Sequence, residues 1–111
     1  MALDTTNKLS RLAGPANAGS GTSTVLTVSS GIPHIYTLKS IRVVNNTGAA
    51  ITFKMGIGGV ADANLISPAI LLGAGELYQD DCFFVLAGTD TLQINTTATG
   101  LAVTVCGLDQ S

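Results

Sequence analysis

The side chains that could do chemistry are few and scattered along this chain of 111 residues. The only histidine, His34, follows Pro33 in a predicted turn, where nothing marks it as a base. The only cysteines, Cys82 and Cys106, fall in different predicted strands. A catalytic nucleophile needs a base within reach and a third group that orients the base. The sequence therefore predicts no catalytic site, no enzymatic activity and no cofactor.

Two short segments contain the oxygen ligands that a calcium ion would need. Asp62 and Asn64 form one, and the adjacent Asp80 and Asp81 form the other. Calcium takes about six to eight oxygen ligands, and neither segment has the pattern of a complete binding loop. We interpret Asp80 and Asp81 as a solvated turn and expect no metal site.

The glycines of the segment Gly56-Ile57-Gly58-Gly59 are spaced as in some phosphate-binding loops. Such loops lead into the N-terminus of a helix, and the nucleotide-binding type also carries a Lys-Ser/Thr pair. Neither feature follows Gly59 in this sequence. We therefore interpret these glycines as permitting a bulge or a tight exit from a strand.

The composition excludes several partners. Only 11% of the residues are charged and the net charge is −2, so the five scattered cations form no patch that could bind nucleic acid. No apolar run approaches the ~18 residues that cross a membrane. The first residues also lack the apolar core of a secretory signal, so we expect synthesis in a cytoplasm. Two free, packed thiols are then favoured, although a disulfide between Cys82 and Cys106 stays open.

The elements that would position any site are short strands. From Ser23 to Leu108, runs of Thr, Val, Ile and Leu are separated by Gly, Asn, Ser and Asp. Runs at a spacing of roughly 8–12 residues, without a long amphipathic helix, are typical of an all-β fold. We predict a β-sandwich or jelly roll of about seven or eight short antiparallel strands. Two hairpins are expected, one closed by residues 45–48 and the other by residues 97–100.

Alternation along the runs predicts which side chains face the core. Ile51, Phe53, Met55 and Ile57 alternate with polar residues or glycine, as expected for a half-buried strand. Phe83 and Phe84 are adjacent, so on a regular strand one of them points outward and becomes a candidate contact residue. A bulge that turns both rings inward is an equally good interpretation.

Residues 1–21 differ in composition from the rest and are predicted to form an extended N-terminal arm, with residues 22–111 as the β-sandwich domain. Leu3, Leu9 and Leu12 lie in this arm without a local core to bury them, and an isolated helix of this length is marginal in water. A partner is therefore expected to order the arm. Deleting residues 1–20 should then leave a folded sandwich.

Five segments together resemble a known group of proteins. They are KSIRVVNNTGAAITF (residues 39–53), GIGGVADANLI (residues 56–66), LGAGE (residues 72–76), LAGP (residues 12–15) and the run of residues 22–29. This pattern, which covers most of the chain, resembles small β-sandwich virion structural proteins of tailed bacteriophages. It contains no catalytic residues.

The resemblance implies a capsid decoration, cement or head-fibre protein on the particle exterior, made in the bacterial cytoplasm and located in the virion. The alternative is a neck or tail-fibre module that binds a host receptor or glycan. Implied partners are other virion proteins, such as the major capsid or neck protein, and identical copies in a trimer, with no nucleic acid and no membrane. The attachment residues that we expect are Leu3, Leu9, Arg11, Leu12, Pro15 and Phe84.

Overall fold

The structure is a computed structural model that describes residues 9–28, 35–81 and 84–110. These residues form nine strands and one short 3-10 helix (Asp62–Asn64). The all-β fold predicted from the sequence is confirmed. The strands are β1 (Leu9–Ala18), β2 (Gly21–Thr27), β3 (Ile35–Asn45), β4 (Ile51–Ile57), β5 (Ile70–Leu72), β6 (Leu77–Asp80), β7 (Phe84–Ala87), β8 (Thr91–Thr96) and β9 (Leu101–Gln110).

The strands form two antiparallel sheets. Sheet A has the order β1-β9-β3-β6, and β7 pairs with the first part of β3 whereas β6 pairs with its last part. Sheet B has the order β2-β8-β4-β5. The pairings are nested, because β1 pairs with β9, β2 with β8, β3 with β6 and β7, and β4 with β5. The chain thus resembles one long hairpin rolled into two layers. This is the topology of a jelly roll.

Alternating side chains build the core between the sheets. In β4, Ile51, Phe53 and Met55 are buried and Ile57 packs against the core, whereas Thr52 and Lys54 are half-buried. This confirms the predicted period of two. The Phe53 ring is 1% exposed and meets the ring of Tyr78 from sheet A edge to face, with 5.4 Å between the centroids. Residues of both sheets therefore share a single core, in which Leu92, Ile94, Leu101, Val103 and Val105 are also buried.

The two predicted hairpins are wrong. Residues 46–50 connect β3 of sheet A to β4 of sheet B, and residues 97–100 connect β8 of sheet B to β9 of sheet A. Both turns are arches that cross between the layers. A hairpin and an arch join strands with the same alternation, so the local sequence favours neither. The distant partner strands decide between them, because β8 pairs with β2 and β4 whereas β9 pairs with β1 and β3.

The predicted arm is wrong for the part of it that is described. Residues 9–18 are the edge strand β1, which runs antiparallel to β9 from the pair Leu9 and Leu108 to the pair Ala18 and Leu101. Residues 21–27 likewise belong to sheet B as β2. The segment is poor in β-branched residues, but an edge strand is held mainly by its hydrogen bonds to a neighbour, and tertiary context overrides propensity. Residues 1–8 lie outside the described residues.

Asn45 ties together two connections at one end of the sandwich, from β3 to β4 and from β5 to β6. Its side chain is fully buried, and its Nδ2 donates hydrogen bonds to the carbonyl oxygens of Ala49 (2.8 Å) and Leu72 (2.9 Å). Its Oδ1 accepts from the backbone N–H of Thr47 (2.9 Å). Its backbone also exchanges hydrogen bonds with residues 75 and 76 in the connection from β5 to β6. One amide thus replaces the ladder bonds that a crossing backbone cannot make.

Gly56 permits the chain to leave β4 tightly. A Cβ atom at this position would collide with the carbonyl oxygen of Gly59, so only glycine fits. Gly58 has a φ of 77°, in the left-handed region, and its backbone N–H donates to the carbonyl of Thr91 (2.8 Å). The interpretation of these glycines as a tight strand exit is confirmed.

The shared core predicts unequal effects for two neighbouring substitutions in β4. Phe53→Ala should lower the free energy of unfolding by roughly 3–5 kcal/mol, because it empties a buried aromatic position. Thr52→Ala, on the outer face of the strand, should cost less than about 1 kcal/mol. Urea denaturation of both variants measures the difference. Equal losses would contradict the facing of β4.

The role of Asn45 gives a second prediction. Asn45→Ala should cost about 2–4 kcal/mol, because it leaves buried backbone groups without partners. The matched control is Asn46→Ala, since Asn46 is exposed and its backbone bond to Gly100 survives the substitution. The control should stay within about 0.5 kcal/mol of the unsubstituted protein in the same denaturation experiment. Similar stability of both variants would show that the Asn45 amide is dispensable.

The position of β1 reverses the expectation for a truncated chain. Deleting residues 1–20 removes β1, including Leu12, which packs on the core, and Ala18, which is buried in it. We expect the free energy of unfolding to fall by at least about 2 kcal/mol. Deleting residues 1–8 removes no described strand pairing and serves as the control. Circular dichroism during thermal melting measures both, and a Tm unchanged by the longer deletion would contradict the assignment of β1.

Candidate interaction surface

The described residues hold neither clustered metal-ligating side chains nor buried polar side-chain atoms without partners. Across residues 9–28, 35–81 and 84–110, no three His, Cys, Asp or Glu side chains come together as a metal site would need. Every buried side-chain nitrogen and oxygen in these ranges has a hydrogen-bond partner, so none is left pointing at an empty site. No helix in these ranges is long and apolar enough to cross a membrane.

Asn64 and Asp81, which were considered as calcium ligands, are engaged in local hydrogen bonds. Asn64 Nδ2 donates to the carbonyl of Ile57 (2.8 Å), and the exposed Asp62 begins the 3-10 helix. Asp81 Oδ1 accepts from the side chain of Gln79 (3.1 Å). Asp81 follows β6, in agreement with the predicted turn, but Asp80 is the half-buried last residue of that strand and pairs with Ile41 of β3. The predicted solvated turn is therefore wrong for Asp80.

Four of the expected attachment residues lie together on β1. Arg11 is exposed and stands opposite Cys106 on β9, where Cys106 is a half-buried free thiol. Pro15 is exposed, while Leu12 is half-buried and packs against the core. The fourth, Leu9, stands opposite Leu108 at the start of the strand. Leu3, like His34, Cys82 and Phe83, is outside the described residues.

Phe84 is not brought together with the residues of β1. It lies on β7, opposite Leu38, and strands β9 and β3 separate it from β1 within sheet A. Its ring is half-buried and packs against the core. The outward position next to it is Val85, which is 50% exposed. The aliphatic neighbour of Phe84 is therefore the better candidate for a contact.

The outer face of sheet A exposes apolar side chains that sequence reasoning missed. Of the four large hydrophobic residues that are exposed in the described ranges, Ile35, Val85 and Leu77 lie on this face. Val85 stands opposite Thr37, and Leu77 stands opposite Val44, so each exposed residue belongs to a row across the sheet. The run Phe84-Val85-Leu86-Ala87 of β7 carried a signal, because a strand of four apolar residues must turn some of them outward.

Two arginines lie on the same face, between its apolar ends, with Arg42 on the central strand β3 and Arg11 on the edge strand β1. Arg42 stands between Thr104 and Gln79, and the Gln79 Oε1 accepts hydrogen bonds from Arg42 Nε (3.2 Å) and Nη2 (2.7 Å), which fixes the guanidinium. Arg11 lies in the adjacent row. A shallow depression of about 320 Å³ separates the two rows, lined by Ser40, Arg42, Thr104 and Cys106. The outer face of sheet A is therefore apolar at both ends and basic between them.

The outer face of sheet B has a different chemistry. It presents threonines and side-chain amides, some of which bond to each other across strands, as Asn95 Nδ2 does to Thr22 Oγ1 (2.9 Å). Its described basic residue is Lys54, and the exposed Leu71 lies at its edge on β5. The residues facing outward on the other strands are Thr22, Thr24, Thr52, Thr91, Gln93 and Asn95.

No protein-family model matches the sequence, and no curated protein sequence is significantly similar to it.

Proposed function

We propose that this protein is a structural protein of a tailed-bacteriophage virion, located on the capsid exterior as a decoration, cement or head-fibre protein. The observation that carries the proposal is the outer face of sheet A, where Ile35 (43%), Leu77 (52%) and Val85 (50%) are exposed around two arginines. Exposed apolar groups that share a face with arginines are typical of a surface that another protein covers.

The fold and the composition support the proposal by analogy. Jelly rolls are the architecture of many viral capsid domains, although lectins and other proteins also use them, so the fold alone assigns no function. Only 11% of the residues are charged, well below the roughly 25% usual for soluble domains. A chain with so few charges suits a crowded assembly, in which neighbouring subunits cover much of its surface.

The attachment surface in this proposal consists of β1 and the adjoining outer face of sheet A. Arg11 links the two, because it lies on β1 and faces outward beside Cys106. The partner is another virion protein, the major capsid protein or a neck protein, and it would present carboxylates to Arg11 and Arg42. No nucleic acid, membrane or cofactor is required, and the protein acts as a homo-oligomer.

The second candidate is a neck or tail-fibre module that binds a host receptor or glycan. Such a module is expected to display aromatic rings on its loops. In the described ranges the rings of Tyr36 and Phe53 are buried, and those of Tyr78 and Phe84 are half-buried against the core. The capsid role is therefore preferred. Neighbouring reading frames that encode baseplate and fibre proteins, rather than capsid and scaffold proteins, would reverse this preference.

A matched pair of charge reversals tests the proposed attachment. Arg42→Glu changes the outer face of sheet A, and Lys54→Glu makes the same change of charge on the outer face of sheet B. We expect Arg42→Glu to weaken binding to particles that lack this protein by at least about tenfold, because it places a carboxylate where an acidic partner surface would approach. Lys54→Glu should leave binding unchanged. Co-sedimentation with purified particles measures both.

Two results would contradict the attachment proposal. If Arg42→Glu and Lys54→Glu both bind particles as tightly as the unsubstituted protein, the outer face of sheet A is excluded as the attachment surface. Failure of the unsubstituted protein to sediment with particles would argue against the capsid role itself. A Val85→Asp variant changes the apolar end of the same face. Weaker binding of both Val85→Asp and Arg42→Glu would indicate a contact that includes the apolar end. Weaker binding of Arg42→Glu alone would indicate a contact made by charge.

A further inference from the structure

The strand β2 (Gly21–Thr27) is an edge of sheet B. It pairs with β8 on one side, and no other described strand pairs with it on the opposite side. The outward N–H and C=O groups of such an edge form a template on which another extended chain can add a strand. Proteins that remain monomeric usually block their edges with prolines, charges, bulges or very short strands.

The other edges of this sandwich carry such devices. In β1, the other edge on the same side of the sandwich, Pro15 lacks a backbone N–H, and the pairing register with β9 shifts twice between Arg11 and Ala16. On the far side, β5 has three residues, and β6 and β7 have four residues each. These edges offer little continuous backbone to a partner.

The strand β2 carries fewer of these devices. Its seven residues, GTSTVLT, include no proline and no charge, and its register shifts once, between Thr24 and Leu26. Its outward residues Thr22 and Thr24 are exposed. Beside it, toward β1, an open cleft of about 70 Å³ is lined partly by Ser23 and Val25, so the inner side of this edge is also incompletely covered.

We propose that β2 pairs edge to edge with β2 of a second copy of this chain, antiparallel and about a two-fold axis. The pairing joins the two B sheets into one continuous sheet of eight strands. A two-fold axis at Ser23 puts Thr22 of each copy opposite Thr24 of the other, on the same face. Threonine pairs are favourable across antiparallel strands, and a strand without charges meets its own copy without repulsion.

A second copy fits this edge for a symmetry reason. An isologous contact uses the same surface twice, so it requires a strand that is complementary to itself. A neutral strand of small and β-branched residues meets this requirement. The contact closes with two copies, and it therefore predicts a dimer in place of the trimer that the resemblance implied. The inference does not rest on the virion role, because it uses only the edges of the sandwich.

The experiment measures the mass of the purified full chain by sedimentation equilibrium over a range of concentrations. The unsubstituted protein should have twice the chain mass of 11.2 kDa. The double variant T22K/T24K sets lysines opposite lysines across the axis and should raise the dimer dissociation constant by at least about tenfold. The double variant T22K/T24E sets each lysine opposite a glutamate and should restore dimerisation. Circular dichroism confirms that each variant is folded.

The charge-swapped variant makes the test specific to the register, because general destabilisation would affect both double variants alike. A control, T52K/T91K, adds the same charge to the outer face of sheet B on β4 and β8 rather than on the edge strand β2, and should remain dimeric. A monomeric or trimeric unsubstituted protein would overturn the proposal, and so would a T22K/T24K variant that stays dimeric. If the unsubstituted protein is a trimer that binds particles, only the β2 contact is overturned. If it is a dimer that fails to bind particles, the result counts only against the virion role.

Discussion

Each sheet of this sandwich has one apolar face, and the two apolar faces cover each other. Phe53 and Ile94 from sheet B pack into the same core as Val43 and Val105 from sheet A, and all four are almost completely buried. Burial of apolar area is the main favourable contribution to folding. The nested strand pairings, the crossing connections and the position of β1 all follow from the need to bring these two faces together along their whole length.

Crossing between layers exposes backbone groups that a hairpin would have paired, and polar side chains supply the missing partners. Asn45 does so for the connection from β3 to β4. Thr96 does so at the neighbouring connection, where its Oγ1 lies 2.9 Å from each of the carbonyl oxygens of Gly19 and Ala98 and its single O–H is shared between them. In the described ranges every buried side-chain polar atom is paired, so the ends of the sandwich are as well satisfied as its centre.

The outer surfaces of the sandwich differ from one another in a way that suits an assembly protein. The outer face of sheet A combines apolar ends with two arginines, whereas the outer face of sheet B is nearly neutral and rich in threonine. The edges differ as well, since Pro15 interrupts β1 while β2 is uncharged and continuous up to Thr24. A contact with a different protein on the first face and a contact between identical copies at β2 would use separate parts of the molecule and could form together.

The all-β class, the alternation of β4 and the role of Gly56 were predictable from the sequence, because each depends on spacing between neighbours along the chain. The sequence by itself also revealed no grouping of catalytic side chains. Only the tertiary structure decided that residues 9–18 are an edge strand, that both predicted hairpins are arches, and that Val85 rather than Phe84 faces outward. The physical reason is that these features depend on which distant strand supplies the hydrogen bonds and the opposing core face. Local propensity and alternation are the same for either outcome.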